Sequence, residues 1–501
     1  MAEEKKPSQA KKAPAKAPAK KAPAKAAKAK DDSHLVGGKL GVGSYFSYAC
    51  GALGHDMFYG TLSTYFMMFV TSQLFPEGME GAAWVSVLTF IIAMIRIVEL
   101  LIDPMIGGVI DQTKTRFGKF KPWIMLGAIV AGIGLIAIFT DFGGLATSSP
   151  VTYLIIFAIV YLIMDIFYSF KDIAFWSMMP ALSLLNRDRE KLGTVARVAS
   201  TIGQQVVTLS VVPAIAFFQT QFGVTEKISW TFYATVIAVA AALLALVTCL
   251  GTKENDSAII KNAEKVQLRA VFKNLFMNKQ LMLCALVYCI FALSTTVTNS
   301  LSLYYFKYIF GAEEYFPLVG TINLVSGLIA LVLFPFLTKF LTRKQLFVGG
   351  GIILVIGYII YFNAGANVPL VFTGVILTYF PQPLMALIFF MLISDCVEYG
   401  QLYLGKRAES ATLSIRPLLD KFAGAISNLV VGNAAVICGM TGSVTAAQIT
   451  AQSADLFRMI MFGIPGVLIC IAVLVYFFKI KLSEKEHMRI VEELKKQVSD
   501  K

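Results

Sequence analysis

The sequence predicts an all-α membrane protein with twelve transmembrane helices in two six-helix halves. Three observations predict it: an apolar composition, apolar stretches of roughly 20 residues or more separated by short polar breaks, and basic residues gathered in every second break. Of the 501 residues, 57% are hydrophobic and 15% charged, and the mean hydropathy is +0.70. That is too apolar for an ordinary soluble protein, so lipid is the solvent for most of the chain.

The apolar stretches run from Tyr45 to Lys481, each long enough to cross about 30 Å of hydrocarbon. Several exceed the minimum and contain Gly, Pro or a charge, so they are expected to tilt or kink and to pack on one another. One set of loops holds Lys114, Arg116, Lys119 and Lys121, then Arg187, Arg189 and Lys191, then the 252–279 connection, Lys339, Arg343 and Lys344, and Lys406 and Arg407. The other set, around Glu77, Asp141, Gly223, Glu313, Ala366 and Ser443, carries one basic residue, Lys227. The positive-inside rule places the first set and both termini in the cytoplasm. It also accounts for the net charge of +13 without nucleic acid, for which no basic, aromatic-interleaved module is present.

Residues 1–36 form a Lys/Ala/Pro tail that cannot bury enough apolar surface to fold and is expected to be disordered. It lacks the apolar core of a signal peptide, so the first span is expected to direct insertion. An N-terminal six-helix half (37–252), a cytoplasmic connection (253–279) and a C-terminal six-helix half (280–481) follow. Two such halves are the major-facilitator plan, with the substrate site between them near the midplane. Over 482–501, Ser483 and Glu486 resemble a capping box, and Ile490, Val491, Leu494 and Val498 make an apolar stripe, which predicts a cytoplasmic amphipathic helix. The seven cysteines are scattered through apolar spans without C-x-x-C spacing, so neither disulfides nor a zinc site is expected.

Ionisable residues inside apolar spans are costly, and each is a functional candidate. The N-terminal half holds His55, Asp56, Arg96, Glu99, Asp103, Asp165, Lys171, Asp172 and Arg197; the C-terminal half holds Lys307, Asp395, Glu398, Arg416, Asp420 and Lys421. Glu99 and Asp103 are four residues apart and share one helical face. Two like charges that close favour a shared proton or a bound cation, although Arg96 and other basic groups could also simply neutralise them. Asp172 and Trp176 have the same spacing, stacking an acceptor for hydroxyls above a ring for an apolar C–H face, the pair that sugars require. A tryptophan on a helix also serves as packing or as an interfacial anchor. The loop "DQTKTRFGKFKPW" suits a clamp of helix ends by charges and helix dipoles. No H-E-x-x-H, P-loop or G-x-S-x-G setting points to an enzyme.

The segments "RIVELLIDPMIGGVIDQTKTRFGKFKPW" and "YLIMDIFYSFKDIAFWSMMPALS" resemble those of the glycoside-pentoside-hexuronide cation symporters. The segments "FYGTLSTYF", "REKLGTVARVASTIG", "SLYYFKYIFG", "DCVEYGQLYLGKRAES" and "TLSIRPLLDKFAGAISN" extend the resemblance from about 45 to 495, and within the family to the lactose permease branch. The resemblance implies sugar binding by Asp56, Asp172, Trp176, Arg197 and Lys421, with His55 and Asn299 added to that set. It implies cation coupling by Glu99, Asp103 and Ser169, with Glu409 linked to coupling. His55 replaces a lysine of the melibiose-type members, Ala386 an aromatic, and Lys406 a histidine of the lactose branch. Lactose permeases often carry a C-terminal phosphotransferase-like domain, which this chain lacks, so regulation through it is not expected.

The expected function is import of glycosides, galactosides such as lactose, by cation symport or sugar exchange across a bacterial cell membrane. Import of a xyloside or another oligosaccharide is the alternative, and a non-transporting sugar sensor the remote one. The expected partners are the glycoside and the bilayer, and no cofactor is expected beyond the coupling ion. That ion is taken as a proton, with sodium as the alternative. Melibiose-type relatives place an asparagine between the two carboxylates of the second span, and Ile102 stands there. It removes an oxygen ligand and dries the site.

Overall fold

In hydrocarbon each backbone N–H and C=O must be satisfied within its own segment, so the apolar runs become long helices. The computed structural model describes residues 40–75, 78–183, 186–254, 273, 276–405, 412–413, 415–442 and 444–499. The lysine-rich tail, most of the 253–279 connection, and Lys406, Arg407 and Glu409 lie outside the described residues. The helices are α1 (Val42–Gly60), α2 (Met79–Gln112), α3 (Lys121–Ile138), α4 (Pro150–Leu182), α5 (Asn186–Phe222) and α6 (Glu226–Gly251). The second half holds α7 (Lys279–Phe310), α8 (Phe316–Phe340), α9 (Arg343–Asn363), α10 (Val368–Leu404), α11 (Ile415–Ile437) and α12 (Ala451–Lys479). A final helix, α13, spans Glu484–Ser499.

Among the described residues nine helices are long and apolar enough to cross a membrane, or ten if the bent pair Glu313–Ala330 and Val332–Phe340 is one span. The expected twelve is reached only by adding α1 and α11. Both have the length of a span, and both turn polar residues toward the interior: His55 and Asp56 on α1, Asp420 and Lys421 on α11. Residues such as Ile133, Ile155, Ile159, Leu243, Val332 and Val467 are more than half exposed on the outer faces, where lipid would meet them.

The rod of α1 continues to Leu74 through two π turns, Thr61–Tyr65 and Val70–Leu74. The hydroxyls of Thr61 and Thr71 bond back to the carbonyls of Met57 and Met67 there, a local competition that loosens the regular ladder. Small residues let the rods approach closely. A Cβ on Gly203 of α5 would collide with the carbonyl of Leu53 on α1. Gly203→Ala is therefore expected to cost about 1–3 kcal/mol, the penalty of overpacking, measured as a lower midpoint of thermal unfolding in detergent.

The halves meet most closely at the end away from the basic loops. Thr71 Oγ1 and Tyr304 Oη are 2.7 Å apart, and the amide of Gly442 donates to the Thr71 carbonyl at 2.7 Å. Tyr65 meets Phe316 edge-on with centroids 6.0 Å apart, and Lys307 pairs with Glu226 at 3.0 Å. At the same end Lys227 donates to Asp141 at 2.9 Å. Burial pushes the Asp141 carboxyl up, but this lysine outweighs it and holds the group below the usual carboxylate range. At the opposite end the clamp expected of the α2–α3 loop is present, though built by an acid. Glu254, after α6, accepts the amides of Lys119, Phe120 and Lys121 at 2.6, 3.1 and 3.1 Å, capping α3. Beyond α12, Ser483 Oγ accepts the Glu486 amide at 3.3 Å and Ile490 is fully buried, so α13 is capped and docked as the stripe predicted.

Candidate functional site

A cavity of about 940 Å³ lies between the two halves. Every substrate candidate read from the sequence lines it: His55 and Asp56 on α1, Asp172 and Trp176 on α4, Arg197 on α5, Asn299 on α7 and Lys421 on α11. Glu99 and Asp103 line it from α2. Apart from Asn299 and Lys421, the candidates lie on the wall formed by the N-terminal half, and those two reach it from the C-terminal half.

The first group centres on His55, which is buried. Its Nε2 lies 3.0 Å from the Tyr168 hydroxyl, 3.3 Å from Asp172 Oδ1 and 3.9 Å from Asp56 Oδ1. Tyr168 was not singled out in the sequence. It precedes Asp172 by four residues as Asp172 precedes Trp176, so one stripe of α4 carries phenol, carboxylate and indole. That spacing was the signal that could have found it. Trp176 meets Phe175 and His55 edge-on at 5.2 and 6.2 Å, and the Arg197 guanidinium lies over its ring at 5.0 Å. The indole is held by neighbours on α1, α4 and α5, while Asp172 and Asp56 present acceptors beside it.

The second group is a chain of alternating charge. Arg96 Nη1 lies 3.2 Å from Glu99 Oε2 and 3.2 Å from Asp165 Oδ1. Glu99 Oε1 accepts from Ser169 Oγ at 2.8 Å and from Lys421 Nζ at 2.9 Å. Lys421 Nζ also bonds Asp103 Oδ2. Lys421 crosses from the C-terminal half to sit on both α2 carboxylates, so the residue assigned to the sugar also occupies the coupling pair. Ser169 reaches Glu99 from α4, next to Tyr168 and about one turn before Asp172, and joins the two groups. Ile102 packs against an apolar cluster that includes Ile106 of α2, Ile124 of α3 and Phe175 of α4.

On the other wall, Asn299 Nδ2 donates to Gln382 at 3.2 Å, with its carbonyl oxygen buried and without a partner. Asp420 accepts from the Tyr288 hydroxyl at 2.5 Å, and Arg416 Nε donates to the same hydroxyl at 3.2 Å. Arg416 and Asp420 stood among the span charges without a role; here they anchor α11 to α7 beside Lys421. Ala386 packs against the apolar core. Glu409 lies outside the described residues.

A family model described as MFS/sugar transport protein matches residues 47–484. Over 91% of its length the chain is 45% identical to a lactose permease of Lactobacillus delbrueckii subsp. bulgaricus, covering 72% of that protein. It is 44% identical over 91% of its length to the raffinose carrier protein of Pediococcus pentosaceus, again covering 72% of it. Among solved structures, the nucleoside transporter NupG superposes with a TM-score of 0.61 at 15% identity, over 86% of this chain and 100% of that one. At that identity the likeness speaks for the fold.

Proposed function

From the premise that this chain belongs to the MFS/sugar transport family, and is a multi-pass secondary sugar transporter and not an enzyme, we propose that it imports galactosides by symport with one proton. The observation that carries the sugar reading is the α4 stripe, where Trp176 offers a ring for the apolar face of a hexose and Asp172, with Asp56 beside it, accepts the hydroxyls. Lactose and raffinose, named for the two relatives above, both contain galactose, and the cavity lies within the roughly 300–1,000 Å³ of small-ligand sites.

The coupling reading rests on charge. Glu99, Asp103 and Asp165 are three carboxylates in one contact network with two fixed cations, Arg96 and Lys421. The chain is one positive charge short, and buried charge is tolerated only when balanced. A proton supplies that charge and needs a single acceptor. Sodium needs several oxygens, and the position between Glu99 and Asp103 that could add one is Ile102. Lys421 links the two functions, since it holds the α2 carboxylates while lying in the wall of the sugar cavity.

The contacts joining Thr71, Tyr304 and Gly442 lie at the end that the positive-inside rule makes extracellular, in the bacterial cell membrane with both termini inside. Transport then proceeds by rocking of the two halves about the cavity, with these contacts opening as the basic end closes. In a host lacking other permeases, the expressed chain is expected to accumulate lactose, melibiose or raffinose in preference to xylosides. Accumulation of xylosides alone would replace galactoside import with pentoside import.

A further inference from the structure

The buried chain of charge has two ends. At one, Asp103 lines the cavity with a side chain 20% exposed. At the other, Asp165 is 1% exposed. Among the described residues its ion-pair partner is Arg96, which it shares with Glu99, and neither of its oxygens receives a hydrogen bond. A bare carboxylate in that position is costly, because a buried anion needs donors as well as a countercharge. Glu99, by contrast, is served by Arg96, Ser169 and Lys421.

We propose that Asp165 is a further proton-binding site, the sealed end of the charge chain, which holds the coupling proton while Lys421 covers Glu99 and Asp103. The assignment rests on the proton-symport reading above. The carboxyls of Asp165 and Glu99 each lie 3.2 Å from the same atom, Arg96 Nη1, and acids held that close share a proton because both cannot ionise cheaply at short range. A proton on Asp165 gives its orphaned carboxyl a donor and brings the network, two cations against three acids, to neutrality.

The groups facing Asp165 fit this role. Arg96 and Glu99 come from α2, Tyr161 from α4 itself, and Lys421 acts from α11, while Tyr59 of α1 faces Arg96. Helix α3, packed on α4, has no titratable residue beyond Lys121. The buried base on α4, Lys171, lies over the rings of Phe58 and Tyr168. When Lys421 leaves Glu99, the O–H bond of Asp165 breaks and an O–H bond forms on Glu99, while Arg96 stays charged and pairs with the carboxylate left ionised. The proton then has a route along α2 through Glu99 to Asp103 and the cavity.

The test uses the full chain in proteoliposomes, reading external pH during lactose addition and lactose binding as a function of pH. Asp165→Asn mimics the protonated acid in shape and charge. It is expected to exchange lactose, to lose lactose-evoked proton uptake, and to bind lactose with an affinity that no longer varies with pH. Wild-type proton movement per sugar in Asp165→Asn would overturn the assignment alone. Absence of proton movement in the wild type would instead overturn proton symport and the assignment with it. If Asp165→Asn does not insert, Asp165→Glu keeps an acid and moves it by one methylene. Proton-coupled uptake with a displaced pH profile is then expected, and an unshifted profile would overturn the role.

Discussion

Trp176→Ala and Asp172→Asn are each expected to abolish or severely weaken lactose binding in a protein that still inserts and packs. The indole is held in place by edge contacts with Phe175 and His55, and it lines the cavity instead of filling a helix interface. Removing it takes away most of the apolar platform for the sugar, at a cost of about 2 kcal/mol or more, or at least about 30-fold in Kd. Trp176→Phe and Trp176→Tyr keep a smaller ring and are expected to retain part of the affinity. Asp172→Asn leaves the shape intact and converts a charged acceptor into a neutral amide. Charge-assisted hydrogen bonds are worth about 1.5–3 kcal/mol, which is about 10- to 150-fold in Kd. Calorimetric titration of the purified variants with lactose checks both. Near-wild-type affinity in Trp176→Ala would make the indole a packing residue and move the sugar elsewhere in the cavity.

Helical spacing explains why so much of this site was visible before any coordinates. Residues four apart share a face, so Glu99 with Asp103 and Asp172 with Trp176 could be paired on paper, and the structure lines one cavity with all four. Tyr168 belongs to the same stripe and was legible by the same rule. Contacts between helices obey no such rule. Nothing in the spacing of Lys421, more than three hundred positions from Asp103, says that its amino group bridges the two α2 carboxylates. The sharing of Arg96 between Glu99 and Asp165 is equally hidden, because it depends on how α2 and α4 cross. The apolar signal of a span fades where function needs polarity. That is why α1 and α11, which carry polar residues of the site, fall outside a test based on apolarity. The α2–α3 loop reads as a clamp of helix ends by charges and helix dipoles, and the acid that caps α3, Glu254, lies outside that loop, because the free amides at a helix N-terminus call for negative charge from wherever the fold supplies it.

An imposed inward pH gradient, without sodium, is expected to drive lactose accumulation, and Glu99→Gln and Asp103→Asn are each expected to lose it. Glu99 is the centre of the charge chain, touched by Arg96, Ser169 and Lys421. Neutralising it leaves Arg96 with Asp165 and Lys421 with Asp103, a set of two acids and two bases that is balanced with no proton bound. A balanced network gives a proton gradient nothing to act on, since a ligand moves a conformational equilibrium only through its difference in affinity between the states. Asp103→Asn balances the set in the same way from the cavity end. Each variant keeps Asp172, Trp176 and Arg197, so sugar exchange down its own gradient is expected to survive in part. The measurement is counterflow of labelled lactose beside gradient-driven uptake in the same vesicles. Loss of both would mean that Glu99 and Asp103 hold the site together instead of coupling it. Uptake that follows a sodium gradient and ignores pH would assign the missing positive charge to sodium, and then Ile102 would have to be replaced by another oxygen donor on α4 or α11.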